Sequence, residues 1–288
     1  MKTKPIQSWL MRGGVTLLLA WSLAPILWAV RSSLTRPVDL TASKFSFLPP
    51  TFTLQHYGNL LGTVSAFQGQ VTQSVWPQFS RALINSLVTS AAATVITVIA
   101  AALGGYAFAR LRFPGRDAIF GLIVATLAIP AYTVMIPLYR MMVSLHLVDT
   151  YLGVTLVYVS AFLPLALWLM RSVYRGLPIA LEEAAAIDGA GKLRTLFTII
   201  LPMAGPGLMA AAILTFLTAW GQFLIPLVFS PTLATKPLTV LIPEFVSKNY
   251  IDYGLMNAAG VLAIIPPLLL VVFLNRYLIS GLTAGSGK

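Results

Sequence analysis

The chain has 288 residues, of which 58% are hydrophobic and only 9% charged, a balance too apolar for a soluble domain of this length. Its formal charge of +11 suggests nucleic acid at first sight, but the basic residues flank apolar runs instead of clustering with aromatics, the pattern of membrane anchoring. There are no cysteines, which excludes a disulfide scaffold and thiolate metal sites and leaves the redox compartment open.

A helix needs about 20 apolar residues to cross the hydrocarbon core. The first candidate is 13–30, uncharged between Arg12 and Arg31 and bracketed by Trp9 and Trp28. A cleaved signal peptide competes with a first span there, although no clear small-x-small site follows. Residues 31–81 are rich in Ser, Thr, Gln, Pro and Gly and read as an aqueous loop. Span two lies in 82–109, where small residues permit close helix contact. Spans three (118–139), four (150–170), five (205–229) and six (253–275) follow. The loops at 1–12, 110–116, 171–202 and 276–288 hold twelve of the 19 Lys and Arg. The positive-inside rule places that set, and both termini, in the cytoplasm. The expected organisation is a cytoplasmic segment 1–12, a first span 13–30, an extracytoplasmic loop 31–81, a core 82–279 and a cytoplasmic tail 280–288.

Between spans four and five lies a polar, helix-forming stretch, 177–202, which carries three acids (Glu182, Glu183, Asp188) and two bases (Lys192, Arg194). Pro178 suits a first helical turn, 179–187 is rich in Ala, Leu and Glu, and Gly189 can take the left-handed conformation that ends a helix. A second short helix is expected over 192–200, stopped by Pro202. Helix, glycine hinge, helix is the predicted form. Glu182 and Glu183 near the positive end of the first helix suit either a docking element or a plain, well-capped surface helix.

No source of energy is legible in the chain itself. Gly191-Lys192 is followed by Leu193, where a phosphate-binding loop requires Ser or Thr. His56 and His146 fall in predicted loops without ligand spacing, so neither a metal site nor a Ser-His catalytic pair is indicated. The predicted spans carry no acid or base near their centres, which argues against a proton-driven transporter. A solute carried by this chain would draw its energy from another subunit.

The sequence Glu183-Ala184-Ala185, Asp188-Gly189-Ala190, with Leu201-Pro202 ending thirteen positions after the glycine, resembles the "EAA" loop of binding-protein-dependent ABC importer permeases. The likeness covers almost the whole chain and points to the G-type subunit of the maltose-type sugar branch. Pro25 to Trp28 with Ser33-Leu34, Phe47-Leu48-Pro49, Asn85-Ser86, Gly105 to Arg110, Pro130 with Pro137, and Arg276 to Gly285 all resemble that branch. Two departures are Phe197, preceded by Leu196, at the aromatic position of the loop, and Gln222 after Trp220-Gly221.

The resemblance implies an all-α, six-span permease of the type I importer fold, without catalytic residues. Its partners would be a second homologous permease, two ATP-binding subunits and an extracytoplasmic solute-binding protein. ATP and Mg would be bound by the ATPases and no cofactor by this chain. In such importers the EAA loop forms a coupling helix seated on the ATPase. Carried over, Glu183 is the principal polar contact, with Glu182, Ala184 and Ala185 beside it, Asp188, Gly189 and Ala190 form the turn, and Pro202 marks the return into the membrane. The segment 231–250, with Lys236, Pro237, Glu244 and Lys248, resembles the loop that probes the binding protein, and also reads as an ordinary connection.

For the solute path, Tyr132 and Tyr139 share one face of span three, and Trp220 and Gln222 lie in span five. Aromatics and amides in membrane helices also serve packing, and the resemblance assigns most sugar contacts to the partner permease. A polyol, glycerol phosphate or amino-acid permease is the alternative within transport. An intramembrane enzyme would need a buried nucleophile and base.

Overall fold

The computed structural model describes residues 5–41, 46–62, 66–67, 70–71, 74–245 and 252–283. The architecture is helical: α1 (Pro5–Ser33), α2 (Trp76–Arg110), α3 (Arg116–Ala125), α4 (Ala131–Ser144), α5 (Tyr151–Gly176), α6 (Ala180–Ile187), α7 (Lys192–Thr195), α8 (Gly205–Trp220), α9 (Leu224–Phe229), α10 (Leu238–Glu244) and α11 (Tyr253–Thr283). Short helical turns at Pro37–Leu40 and Gln55–Leu60 and a two-residue antiparallel ladder, Ala66–Phe67 with Gln70–Val71, occupy the segment expected as a loop.

Among the described residues, four helical stretches are long and apolar enough to cross a membrane unbroken: Met11–Ser33, Trp76–Arg110, Tyr151–Gly176 and Tyr253–Leu274. Two bent pairs bring the number to six when each is counted as one span. The break in the third predicted span is one difference from the sequence expectation. Residues 118–139 do not form one helix; α3 runs on as a single 3-10 turn to Ala128 and α4 leaves it at 104°. The cause is Pro130, which disfavours helical dihedrals at Ile129 (φ −80°, ψ 122°) and has no N–H to continue the ladder. Pro137 and Pro164, by contrast, sit inside α4 and α5.

The fifth predicted span also divides. α8 ends at Trp220, Gly221 to Phe223 leave the helix, and α9 resumes at Leu224. Pro202 does not stop the second helix of the polar stretch. From α7 the backbone passes through a π-turn, Leu196–Ile200, and ends at Met203, with the bend into α8 of 75° after Ala204. Proline is tolerated there because it occupies the second position of the last short turn.

The chain divides into two compact units, 1–80 with 241–265 and 81–240 with 266–288. In the first unit, the loop after α1 is fixed by hydrogen bonds. Thr53 donates its backbone N–H to the Leu34 carbonyl at 2.9 Å, and the Ser33 and Tyr57 hydroxyls lie 2.7 Å apart. The Thr51 hydroxyl, 2.6 Å from Asp39, holds that carboxyl below its ordinary pKa. Buried His56 lies 3.0 Å from the Thr35 carbonyl through Nε2 and 3.4 Å from the Asp252 carboxylate through Nδ1. Gly254 makes that fit possible, since a Cβ there would lie 2.0 Å from the imidazole. Gly254→Ala is expected to displace His56 at a cost of about 1–3 kcal/mol, read as a lower melting temperature of the purified chain.

In the second unit α5 is the central element, with α8, α9 and α3 against it. One apolar cluster gathers Tyr106, Met170, Tyr174, Leu196, Ile200 and Ala211, and a second gathers Ala93, Met142, Val157, Tyr158, Ile225 and Phe229. α2 reaches α5 closely because of Gly104 and Gly105. Added Cβ atoms would lie 2.8 Å from Leu167 and 2.7 Å from Met170.

Candidate functional site

The polar stretch folds into an elbow on the second unit. Leu177 is extended (φ −80°, ψ 142°), and α6 then exposes Glu183, Ala184 and Ile187 while burying Ala185. The helix closes with two bonds, the Gly189 N–H to the Ala186 carbonyl at 3.1 Å and the Ala190 N–H to the Ala185 carbonyl at 2.9 Å. Gly189 has φ +78°, so this is the glycine-dependent ending expected from the sequence. A side chain in that conformation costs about 1–2 kcal/mol. The second arm buries Thr195, Leu196 and Ile200 and exposes Lys192, Leu193, Arg194 and Phe197. Leu196, not Phe197, therefore fills the core behind the elbow.

The two adjacent acids have different surroundings. Glu182 is turned inward: its Oε1 lies 2.6 Å from Arg110 Nε, and its Oε2 accepts from the Tyr106 hydroxyl at 3.1 Å. Arg110 donates through Nη2 to the Leu177 carbonyl at 2.6 Å, so the end of α2 grips both sides of the elbow's entry. The two hydrogen bonds to charged groups here, Tyr106 to Glu182 and Arg110 to Leu177, contribute about 1.5–3 kcal/mol each. Glu183 and Asp188 are exposed, without a side-chain partner among the described residues. Ile179 (58% exposed), Ile187 (87%), Leu193 (70%) and Phe197 (57%) are also exposed along the same elbow.

Behind the elbow Arg171 fixes the neighbouring chain ends. It donates to Asp117 Oδ1 at 2.5 Å and to the Phe108 carbonyl at 3.3 Å, and its guanidinium lies 3.9 Å from the Phe120 ring centroid. α2, α3 and α5 are thus joined where the elbow begins. The sequence pointed to Arg110 only as part of a resemblance, and a pairing 72 residues away from Glu182 leaves no local spacing to detect.

At the opposite end of the same two helices another network holds the segment after α9. Asn85 Nδ2 donates to the carbonyls of Leu233 (3.1 Å) and Lys236 (2.9 Å), and Tyr151 donates to Asn85 Oδ1 at 2.5 Å. Ser86 Oγ accepts from the Leu238 N–H at 2.9 Å. Asp149 accepts from Thr235 at 2.7 Å and from Thr232. Asn85 and Arg110 are separated along α2 by about 37 Å at 1.5 Å per residue, more than the roughly 30 Å hydrocarbon core. Lys236 is half-buried, Pro237 is buried and Glu244 is exposed; Lys248 lies outside the described residues. Asn85→Leu removes both donors, and the amides of 232–238 are expected to exchange about tenfold faster as local opening becomes easier, measured by hydrogen–deuterium exchange.

Three of the four aromatic and amide candidates for a solute path, Tyr139, Trp220 and Gln222, have described side chains, each in a different setting. Tyr139 packs on Phe229 (5.9 Å between centroids) and lines a surface hollow of about 540 Å³ with Met135, Ile136, Arg140 and Val228. Trp220 is buried and stacked on Phe216 at 5.7 Å. Gln222 lies in the break between α8 and α9, where its Oε1 accepts from the Phe223 N–H and its carbonyl from Thr239. Tyr132 falls on α4, and its side chain lies outside the described residues.

A cavity of about 330 Å³ lies instead beside the break at Pro130, lined by residues that include Leu127, Met135, Val157, Ser160, Ile225 and Phe229. Its hydroxyls at Ser160 and Thr126 already donate to the backbone carbonyls of Val157 and Ile123. The wall this chain offers is therefore mainly apolar. No group of three His, Asp or Glu gathers among the described residues.

A bundle with two broken spans, a glycine-hinged elbow gripped from inside and a mainly apolar cavity wall has the construction of a membrane permease subunit. Residues 93–283 match the family described as "Binding-protein-dependent transport system inner membrane component", and the chain belongs to that family. It is 33% identical to the trehalose transport system permease protein SugB of Mycobacterium tuberculosis over 275 residues, covering 95% of each chain. It is 32% identical to the arabinooligosaccharides transport system permease protein AraQ of Halalkalibacterium halodurans over 289 residues, covering 100% of this chain and 99% of the relative. In fold it is similar to a chain of a bacterial ABC transporter involved in the import of the acidic polysaccharide alginate. That match has a TM-score of 0.80 and 21% identity, covering 96% of this chain and 98% of the other.

Proposed function

We propose that this chain is one of two membrane subunits of an ABC importer for a sugar or oligosaccharide, and that its elbow receives the movement of an ATPase. The observation that carries the coupling role is the elbow itself: a short, glycine-closed pair of helices, gripped by Arg110, that exposes Glu183, Asp188, Ile187 and Leu193. A displacement applied to such a surface passes to α2 and α5 as a rigid-body motion, whereas a loose loop would absorb it. The sugar specificity rests on the relatives SugB and AraQ, permease proteins of trehalose and arabinooligosaccharide transport systems.

In this reading a second, homologous permease completes the solute path that the apolar wall beside Pro130 leaves unfinished. Two ATP-binding subunits hold ATP and Mg, and an extracytoplasmic binding protein delivers the solute to the face that carries 231–244. The excess of Lys and Arg on the elbow's side supports a cytoplasmic elbow and cytoplasmic termini. Reporter fusions after Val30 and after Arg194 are expected to report outside and inside respectively; the reverse would overturn the orientation.

The solute class is tested in proteoliposomes that contain the complete transporter with its binding protein. Labelled trehalose, maltose and arabinooligosaccharides are offered beside glycerol phosphate, a polyol and amino acids. ATP-dependent accumulation of a saccharide supports the reading, and accumulation confined to one of the other solutes would replace it.

A further inference from the structure

We infer that Glu182 is a positioning residue, locked to α2 through Arg110, and that of the acidic pair only Glu183 is presented to the ATPase. This rests on the coupling role proposed for the elbow. Sequence alone does not separate the two acids, since both lie in the first turn of α6, where the helix dipole favours either. Geometry separates them. The Glu182 side chain retains 19% of its exposure and Arg110 10%, with 2.6 Å between Oε1 and Nε, and Tyr106 supplies a hydroxyl to the second carboxylate oxygen. Each oxygen of Glu182 is therefore engaged within this chain, and a partner reaching for it would have to displace Arg110 or Tyr106.

Glu183, one residue on, is turned by about 100° around the helix and is exposed, with no side-chain partner among the described residues. The grip on Glu182 sets the angle at which that outward face is offered, because Arg110 simultaneously holds the Leu177 carbonyl at the entry to the elbow. The arginine thus fixes two points of the segment, one before α6 and one in its first turn. Two fixed points define a direction, which a single anchor would not.

The natural absence of cysteine allows the direction to be read by spin labels placed only at Ala186→Cys and Arg112→Cys, both exposed positions. The distance distribution between them is measured in the full chain assembled with its partner subunits in nanodiscs, and retention of the ATPase is measured on the same preparations without labels. Glu182→Gln is expected to broaden the distribution about twofold, Arg110→Gln at least as much because it also frees the Leu177 carbonyl, and the double variant no more than Arg110→Gln, because the two singles share the Glu182–Arg110 contact. Glu183→Gln is expected to leave the width unchanged and to lower ATPase retention about tenfold, as loss of a directly presented interface charge does. Tyr106→Phe, which removes one hydroxyl, is expected to give an intermediate width and keeps the test open should Glu182→Gln not assemble. Parental width in Glu182→Gln, or additive broadening in the double variant, would overturn the lock. Full ATPase retention by Glu183→Gln, with the widths as expected, would overturn the docking role and leave the lock standing.

Discussion

Glu183→Lys is expected to lower solute uptake about 100-fold while the chain remains in the membrane in normal amount. A like-charge or unpaired-charge juxtaposition at an interface costs several kcal/mol, and each 1.4 kcal/mol is a factor of ten. The substitution is nevertheless mild for the chain itself. Glu183 is exposed and has no side-chain partner among the described residues, so the loss within the subunit is confined to the helix-dipole contribution, about 0.3–1 kcal/mol. The contrast between intact insertion and abolished uptake is what identifies a docking residue. Radiolabelled uptake and immunoblotting of the membrane fraction measure the two quantities, and normal uptake by Glu183→Lys would remove Glu183 from the coupling surface.

Gly105→Leu is expected to have the opposite profile, with at least about tenfold less chain in the membrane. An added Cβ at Gly105 would lie 2.7 Å from Met170 Cβ and 3.1 Å from the Arg171 backbone nitrogen. Neither is the free end of a flexible side chain, so α2 must move off α5, and overpacking of this kind costs about 1–3 kcal/mol or more. The shift would also pull on both networks that tie these helices, at Asn85–Tyr151 and at Arg171–Phe108. Gly104→Ala is the graded control, because its Cβ would meet the end of the Leu167 side chain at 2.8 Å, which can rotate away. Gly121→Ala meets nothing within 4 Å and should be neutral. Chain levels of Gly105→Leu equal to those of Gly121→Ala would contradict the close approach of the two helices.

The sequence carried the membrane class, the elbow and its glycine because these depend on composition and on residues near one another. Gly189 followed a helix-forming run directly, and φ +78° is what that position demanded. The breaks were less legible. Pro130, Pro137 and Pro164 look alike in an apolar run, yet only the first stands at a bend between helices, and the arrangement of neighbouring helices decides which proline is accommodated. Pro202 likewise looked like a stop and proved to be part of the final turn before Ala204.

Long-range partners were hidden for a different reason. The links of Glu182 to Arg110 and of Asn85 to Leu233 and Lys236 join residues far apart in the chain, so no periodicity announces them. The division of labour between Glu182 and Glu183 follows from the same limit. Trp220 illustrates another limit: its aromatic ring suggested a solute contact, and in this chain it is buried and stacked on Phe216, a neighbour the sequence did not single out. Solute contacts were not legible because the cavity beside Pro130 is lined mainly by apolar residues, drawn from the turn at 126–129, α4, α5 and α9.

The central claim, that this subunit works by docking an ATPase on its elbow, is tested most directly by gentle detergent extraction of the tagged chain. The proteins that co-purify are then identified by mass spectrometry. Recovery of an ATP-binding subunit and a second permease with the parental chain, and loss of the ATP-binding subunit alone from Glu183→Lys, is the predicted result. A parental chain recovered alone at every detergent strength, or an ATP-binding subunit retained equally by Glu183→Lys, would contradict it.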